Sequence, residues 1–273
     1  MKRNAIVRII VFSLVLMILV PALVAGIAAG TFAVRVEYDE YTTGSSQVSA
    51  EDVSGIEIEW VCGSITVETA DTDVITFQEV MGKNDEPMVY RVEDGKLIIA
   101  YETPKVHFGF GVSSSKDLTI TVPRDWDCFE LKIDSTSADL TVNNMTVWGV
   151  ELDTASGNCS FNHCNVAELS IDSASAEVYF TGILSTLDCD TASGDITAIL
   201  ENVPTSIDFD GASADLELTL PENAGFTLEL DTFSENFISE FATVRHNDRY
   251  VCGDGSCKIT VDGASGNVTI HKG

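Results

Sequence analysis

The chain has 273 residues, of which 43 are acidic and 15 basic, a formal net charge of −28. A field of that sign repels polyanions, so nucleic acid is excluded as a partner and adsorption to anionic headgroups is disfavoured. Cations remain: metal ions, basic peptides or proteins, and the amino groups of envelope polymers.

Residues 1–8 form a short basic tail with Lys2, Arg3 and Arg8, and residues 9–34 carry no charge. A helix of that length, at about 1.5 Å per residue, exceeds a hydrocarbon core of about 30 Å. The stretch reads as one transmembrane anchor or uncleaved signal. A cleaved secretory signal is the alternative, with Gly26-Ile-Ala28 or Ala28-Ala-Gly30 as the small-residue site. The basic tail and the acids after the span (Glu37, Asp39, Glu40) keep the N-terminus in the cytoplasm and export the rest. The expected location is therefore a bacterial plasma membrane, single-pass, with an extracellular C-terminal domain. Residues 35–52 are polar without apolar alternation and read as a stalk.

Residues 53–127 read as irregular β coils that cap a longer array. Ile56-Glu-Ile58-Glu-Trp60 and Ile65-Thr-Val67 alternate around a corner at Cys62-Gly63. Glu93-Asp94-Gly95-Lys96 is a hairpin turn between alternating strands. Leu118-Thr-Ile120-Thr-Val122-Pro123 is a strand stopped by proline, and Leu216-Glu-Leu218-Thr-Leu220-Pro221 echoes it.

From residue 128 to 273 one phrase returns: an Asp, small residues including a Ser, then an acid or amide. It reads Asp134-Ser-Thr-Ser-Ala-Asp139, Asp153-Thr-Ala-Ser-Gly-Asn158, Asp172-Ser-Ala-Ser-Ala-Glu177 and Asp190-Thr-Ala-Ser-Gly-Asp195. Asp210, Asp231 and Asp262 open three more, and the leading Asp residues step by 19, 19, 18, 20, 21 and 31. A period near 20 denotes a repeat architecture. Residues one and three before each Asp are apolar (Ile133 and Leu131, Leu152 and Val150), as are those six and eight after it (Leu140 and Val142, Cys159 and Phe161). Period-2 alternation means strands with one buried face, and the odd step between the two pairs demands a corner in the Ser phrase. The expected fold is all-β, a single-stranded β-solenoid (β-helix or β-roll-like) of about 20-residue coils. Each coil covers the apolar face of the last at about 4.8 Å per rung.

Stacked coils would align Asp134, Asp153, Asp172, Asp190, Asp210 and Asp231 as a ladder of like charge. Hydrogen bonds from corner hydroxyls and backbone N–H groups are one way to offset the repulsion. Ca²⁺ held along the ladder is another. The Gly-rich calcium nonapeptide is absent, and Asp208-Phe-Asp210-Gly211 starts like an EF-hand loop but lacks its later ligands. No other cofactor is implied.

Seven cysteines in an exported chain leave at least one unpaired. Cys252 and Cys257 bracket a turn and are the candidates for a local disulfide. Cys159 and Cys189 fall at inward offsets as small buried residues, so Cys159, His163 and Cys164 are poor metal ligands. The four histidines are scattered, and no HExxH helix or GxSxG elbow occurs. Catalysis is not expected.

The stacked Asp-Thr-Ala-Ser-Gly-Asp phrases resemble the bacterial β-strand-repeat family called "putative adhesin", domain of unknown function 4097. Val53-Ser-Gly-Ile-Glu-Ile58 and the closing stretch from Gly253 to Val268 carry the same likeness. The resemblance spans about residues 50–273. It implies a β-solenoid-like domain outside the bacterial cell, often behind one membrane span, with no established catalytic residues. Phe233-Ser-Glu235, in place of the usual small corner, departs from the pattern. The expected function is a membrane-anchored, adhesin-like surface protein that presents an acidic interaction surface to a cell-envelope component or protein. The alternative is a sensor of envelope stress or antimicrobial peptides whose acidic face binds cationic peptides.

Overall fold

The computed structural model describes residues 41–83, 85–101, 115–232, 236–247 and 249–273, and every regular element among them is a β-strand apart from one short 3-10 turn at Ala50–Asp52. The expected anchor at 9–34 and the basic tail lie outside the described residues.

Alternation dictates the strands, and their pairing shows why the period is near 20. Cys128–Asn143, Thr146–Thr154, Asn158–Ser173 and Glu177–Thr191 pair in parallel, each repeat in register with the next. Ile196–Leu200, Ser206–Ser213 and Leu216–Leu220 continue the stack. Like residues therefore lie over like. Ile58, Ile133, Leu152, Ile171, Cys189 and Phe209 form one inward column on successive rungs. Ile65, Leu140, Cys159, Val178, Ile196 and Leu216 form another across the core. All of these side chains are buried. No single rung can bury its own apolar stripe, so each contributes to stability only through its neighbours.

The N-terminal cap is built from discontinuous pieces. Gly55–Ala70 pairs in parallel with Cys128–Asn143 on one edge and with Lys96–Ala100 and Lys116–Pro123 on the other. Gly63 makes the corner: its φ is +109°, and a Cβ there would lie 2.0 Å from the Lys116 carbonyl oxygen. Val89–Glu93 and Lys96–Ala100 form the expected hairpin through Asp94 and Gly95, both at positive φ. Lys116–Pro123 stacks as its echo suggested. The stalk expected at 35–52 needs correction over its described part. Ser46–Ser49 is an edge strand antiparallel to Val74–Val80, and Thr42–Thr43 pairs with Val89–Glu93. Its polarity is that of a strand facing water on its outer side, which sequence alternation alone does not separate from a linker.

Inside this cap sits Lys116, 1 % exposed. Its ammonium is 2.6 Å from Glu79 Oε1, donates to the Glu86 and Tyr101 carbonyls, and lies over the Tyr101 ring at 3.9 Å. Met88 N–H donates to both Glu79 oxygens, at 3.1 and 2.9 Å. Every charge in this node has partners, the condition under which a buried pair is tolerated.

At the other end the order of the stack departs from the order of the chain. Ser206–Ser213 does not pair with Phe226–Thr232. The last repeat, Cys257–Ser265 and Asn267–Lys272, lies between them, in parallel register with both neighbours. Arg249–Cys252 runs antiparallel along the outer edge of Phe226–Thr232, and Val244–His246 pairs with it in turn. The 31-residue step is this detour. A short charged hairpin takes the exposed edge, and the chain returns to fill the interior slot, which protects the end of the array.

Candidate interaction surface

The residues just outside the apolar columns define the surface of one flank. Register places Asp134 beside Asp153, Asp153 beside Asp172, Asp172 beside Asp190 and Asp190 beside Asp210. Glu59 precedes Asp134 on the N-terminal side. Asp262, not Asp231, follows Asp210, and Asp231 comes after Asp262. The six-residue ladder read from sequence is thus an eight-residue column running Glu59, Asp134, Asp153, Asp172, Asp190, Asp210, Asp262, Asp231. Asp231 is its end, two rungs from Asp210, because the last repeat is inserted before it.

A second column runs two residues upstream on the same outer face. It contains Glu57, Lys132, Glu151, Ser170, Asp188, Asp208, Thr260 and Glu229. Alternation held the signal for it, since each of these residues lies between two buried ones. Among the described residues, cations balance it toward its ends: Lys132 sits 3.1 Å from Glu151, and Arg249 sits 3.0 Å from Glu229. On two adjacent rungs near the centre, Asp188 and Asp190 lie beside Asp208 and Asp210. From Ile133 to Val244 the chain has no Lys or Arg.

The electrostatics follow from this packing. Burial pushes the Asp134 carboxyl up to about 6, helped by its hydrogen bond with Asp153 and opposed by Lys132. Asp172 is raised by burial, then by Asp153, Asp190, Asp188 and Glu151. Glu59 is raised by burial and by Glu57, against Arg91. The flank resists full ionisation.

Corner hydrogen bonds do form, but chiefly at the acids that close the phrase. Asp139 Oδ1 accepts Asn158 N–H at 2.8 Å, Asp195 Oδ1 accepts Asp215 N–H at 2.8 Å, and Asp215 Oδ1 accepts Asn267 N–H at 2.7 Å. The hydroxyls after the leading Asp bond to each other, Ser135 to Thr154 at 2.8 Å and Ser173 to Thr191 at 2.9 Å. Among the described residues, no three His, Cys, Asp or Glu side chains are grouped to hold a metal ion.

The cysteines are thiols, and the pairing expected for Cys252 and Cys257 is not made. Both residues face Phe226, but from opposite sides: Cys252 on the antiparallel strand and Cys257 on the parallel one. Two strand spacings, about 9.5 Å, separate them, beyond the reach of a disulfide. The turn between them crosses over Gly225, where a Cβ would strike Asp254 at 1.9 Å. Spacing in sequence showed the turn but not the strand threaded through it. Cys159 and Cys189 are buried, as their offsets required, Cys164 is buried as well, and His163 stands exposed at a corner.

Parallel rungs of one repeated corner, flanked by aligned acids, define an all-β stacked-repeat protein. Residues 53–186 match the Toastrack family, domain of unknown function 4097, the same family that the repeated phrases resemble. Among solved structures it is similar to a "putative cell adhesion protein" from Clostridium sporogenes, at 11 % identity over 86 % of this chain and 100 % of that one (TM-score 0.38). It is similar to a "putative adhesin" from Bacteroides fragilis, at 11 % identity over 86 % and 97 % (TM-score 0.45). A third, from Parabacteroides distasonis, is a "putative adhesin" at 16 % identity over 85 % and 98 % (TM-score 0.40). No curated protein matches.

Proposed function

We propose that this chain is a membrane-anchored extracellular β-solenoid of about 20-residue coils, a non-catalytic, adhesin-like surface protein that presents its acidic flank to a cationic partner in the cell envelope. The observation that carries this reading is the pair of in-register acidic columns, with no Lys or Arg between Ile133 and Val244. A rigid array of like charge at rung spacing suits an extended cationic ligand, because each new contact relieves repulsion already present in the free protein. The uncharged run at 9–34 supports the anchor. No helix of the described residues is long and apolar enough to cross a membrane.

The same columns support a second reading, a regulatory sensor of envelope stress that captures cationic peptides. Salt separates the two. Contacts to an exposed acidic face weaken as the screening length falls toward about 8 Å at physiological ionic strength. The full chain in mild detergent, immobilised and exposed to envelope fractions, is expected to retain a component that Asp188→Asn with Asp208→Asn releases. Retention unchanged by that double substitution would remove the acidic flank from the account. Retention of added cationic peptide that vanishes in moderate salt favours the sensor. Salt-resistant retention of a protein or glycan favours adhesion.

A further inference from the structure

Two large aromatic side chains stand in water beside the acidic columns. Phe129 is 63 % exposed and Trp148 55 % exposed. Cys128 pairs with Val147 and Glu130 with Gly149, so Phe129 and Trp148 occupy the intervening position on neighbouring rungs. Gly149 follows Trp148 and leaves a notch, since a Cβ there would meet only the Phe129 carbonyl oxygen, at 3.8 Å. On the adjacent rungs Glu130 and Glu168 flank Gly149 from either side. Lys96 holds Glu130 and Lys132 holds Glu151, but Glu168 is exposed and has no cationic partner among the described residues.

We infer that this corner is a docking point for an arginine side chain of a basic partner segment, with the guanidinium over Trp148 and its donors directed to Glu168. Charge complementarity selects the occupant. The rings offer electron-rich faces, the notch gives room for a flat group, and the neighbouring carboxylate supplies acceptors. A planar guanidinium stacks on an indole while it hydrogen-bonds at its edge, whereas a compact ammonium does one or the other. Leaving two such rings exposed costs the free protein part of their transfer free energy, and a stacked ligand recovers it. The inference rests on the acidic-flank reading and adds to it a residue preference that charge alone does not give.

The test uses the full chain in detergent with two probes, acetylated Arg-Gly-Arg-Gly-Arg and its Lys counterpart, titrated at low salt. The Arg peptide is expected to bind about three- to fivefold tighter, the factor set by one cation–π contact at an exposed site. Trp148→Ala with Phe129→Ala should bring the two affinities together, and Trp148→Phe should keep most of the preference. Both side chains are exposed, and a melting curve checks that the variants fold. An unchanged Arg-to-Lys ratio in the double variant would overturn the corner and leave the acidic flank standing. Failure of both peptides to bind would overturn both readings.

Discussion

Asp172 illustrates what register does to a single side chain. It is exposed and ordinary in sequence, but Asp153 and Asp190 lie one rung to either side, and Glu151 and Asp188 lie diagonally across. Two ionised carboxylates at that spacing repel by about 1 to 3 kcal/mol, according to how much water screens them. Asp172→Asn should therefore stabilise the protein at pH 7.5, with a rise in melting temperature of about 2–4 °C. The pH dependence has a definite sign. Asp134, Asp172 and Glu59 are all raised, so the folded state holds more protons than the unfolded chain. Their contribution is complete below the unfolded carboxylate range and is lost as pH rises through the folded values, near 6 for Asp134. Stability should grow as pH falls from 7 toward 5. His271 lies between Glu217 at 3.1 Å and Glu240 at 3.5 Å, and His271→Gln removes these contacts from the comparison. Thermal melts of the His271→Gln variant isolate the carboxylates, and a flat or falling curve there would refute them as the source. Lys116 gives the opposite case. Lys116→Ala strands the Glu79 carboxylate in the core and should cost about 3–5 kcal/mol in denaturant melts. Lys116→Met with Glu79→Gln should recover most of that loss, because Gln still accepts the Met88 N–H.

At the scale of the element, the repeated strand and its corner were legible because both are local. Leu131 and Ile133 alternate with Lys132, Asp134 opens the turn, and nothing beyond neighbouring residues is needed to see it. Gly63, Asp94 and Gly95 announced their turns for the same reason. The edge elements were not legible. Ser46–Ser49 has the composition of a linker, and its partner is Val74–Val80, across a sequence separation that alternation does not span. The turn from Cys252 to Cys257 reads as a closed loop in one dimension, while in space Phe226 passes between its ends. Intact mass under non-reducing conditions should show seven alkylatable thiols after unfolding. In the folded protein burial pushes the Cys128 thiol up to about 12 and the Cys159 thiol up to about 11, so both should react slowly. A Cys252–Cys257 disulfide in that spectrum would contradict the strand order of the C-terminal cap.

For the whole molecule, the period fixed the architecture, but the order of rungs depended on one long-range choice. Successive steps near 20 imply that each coil lies on the one before it, and the chain obeys this from Cys128 to Leu220. It then places its final repeat inside the stack and a hairpin outside. No residue between 221 and 256 states that exchange, because the slot on either side of Cys257–Ser265 offers similar apolar columns. The acidic flank inherits the consequence, for its columns are continuous only if Asp262 bridges Asp210 and Asp231. The candidate site was legible to the same degree. Seven of the eight acids in the first column open a phrase, but the place of Asp262 between Asp210 and Asp231 did not follow from it, and Glu59 lies in an irregular coil.

Disulfide cross-linking of paired cysteine variants measures that order directly. Ser213 and Ser265 are register partners with hydroxyls 3.2 Å apart, so Ser213→Cys with Ser265→Cys should oxidise readily to a bridged species. Asp210→Cys with Asp231→Cys should not, because two rung spacings, about 9.5 Å, separate them. Bridging of the second pair and not the first would show that the repeats stack in chain order, and the eight-acid column would not exist.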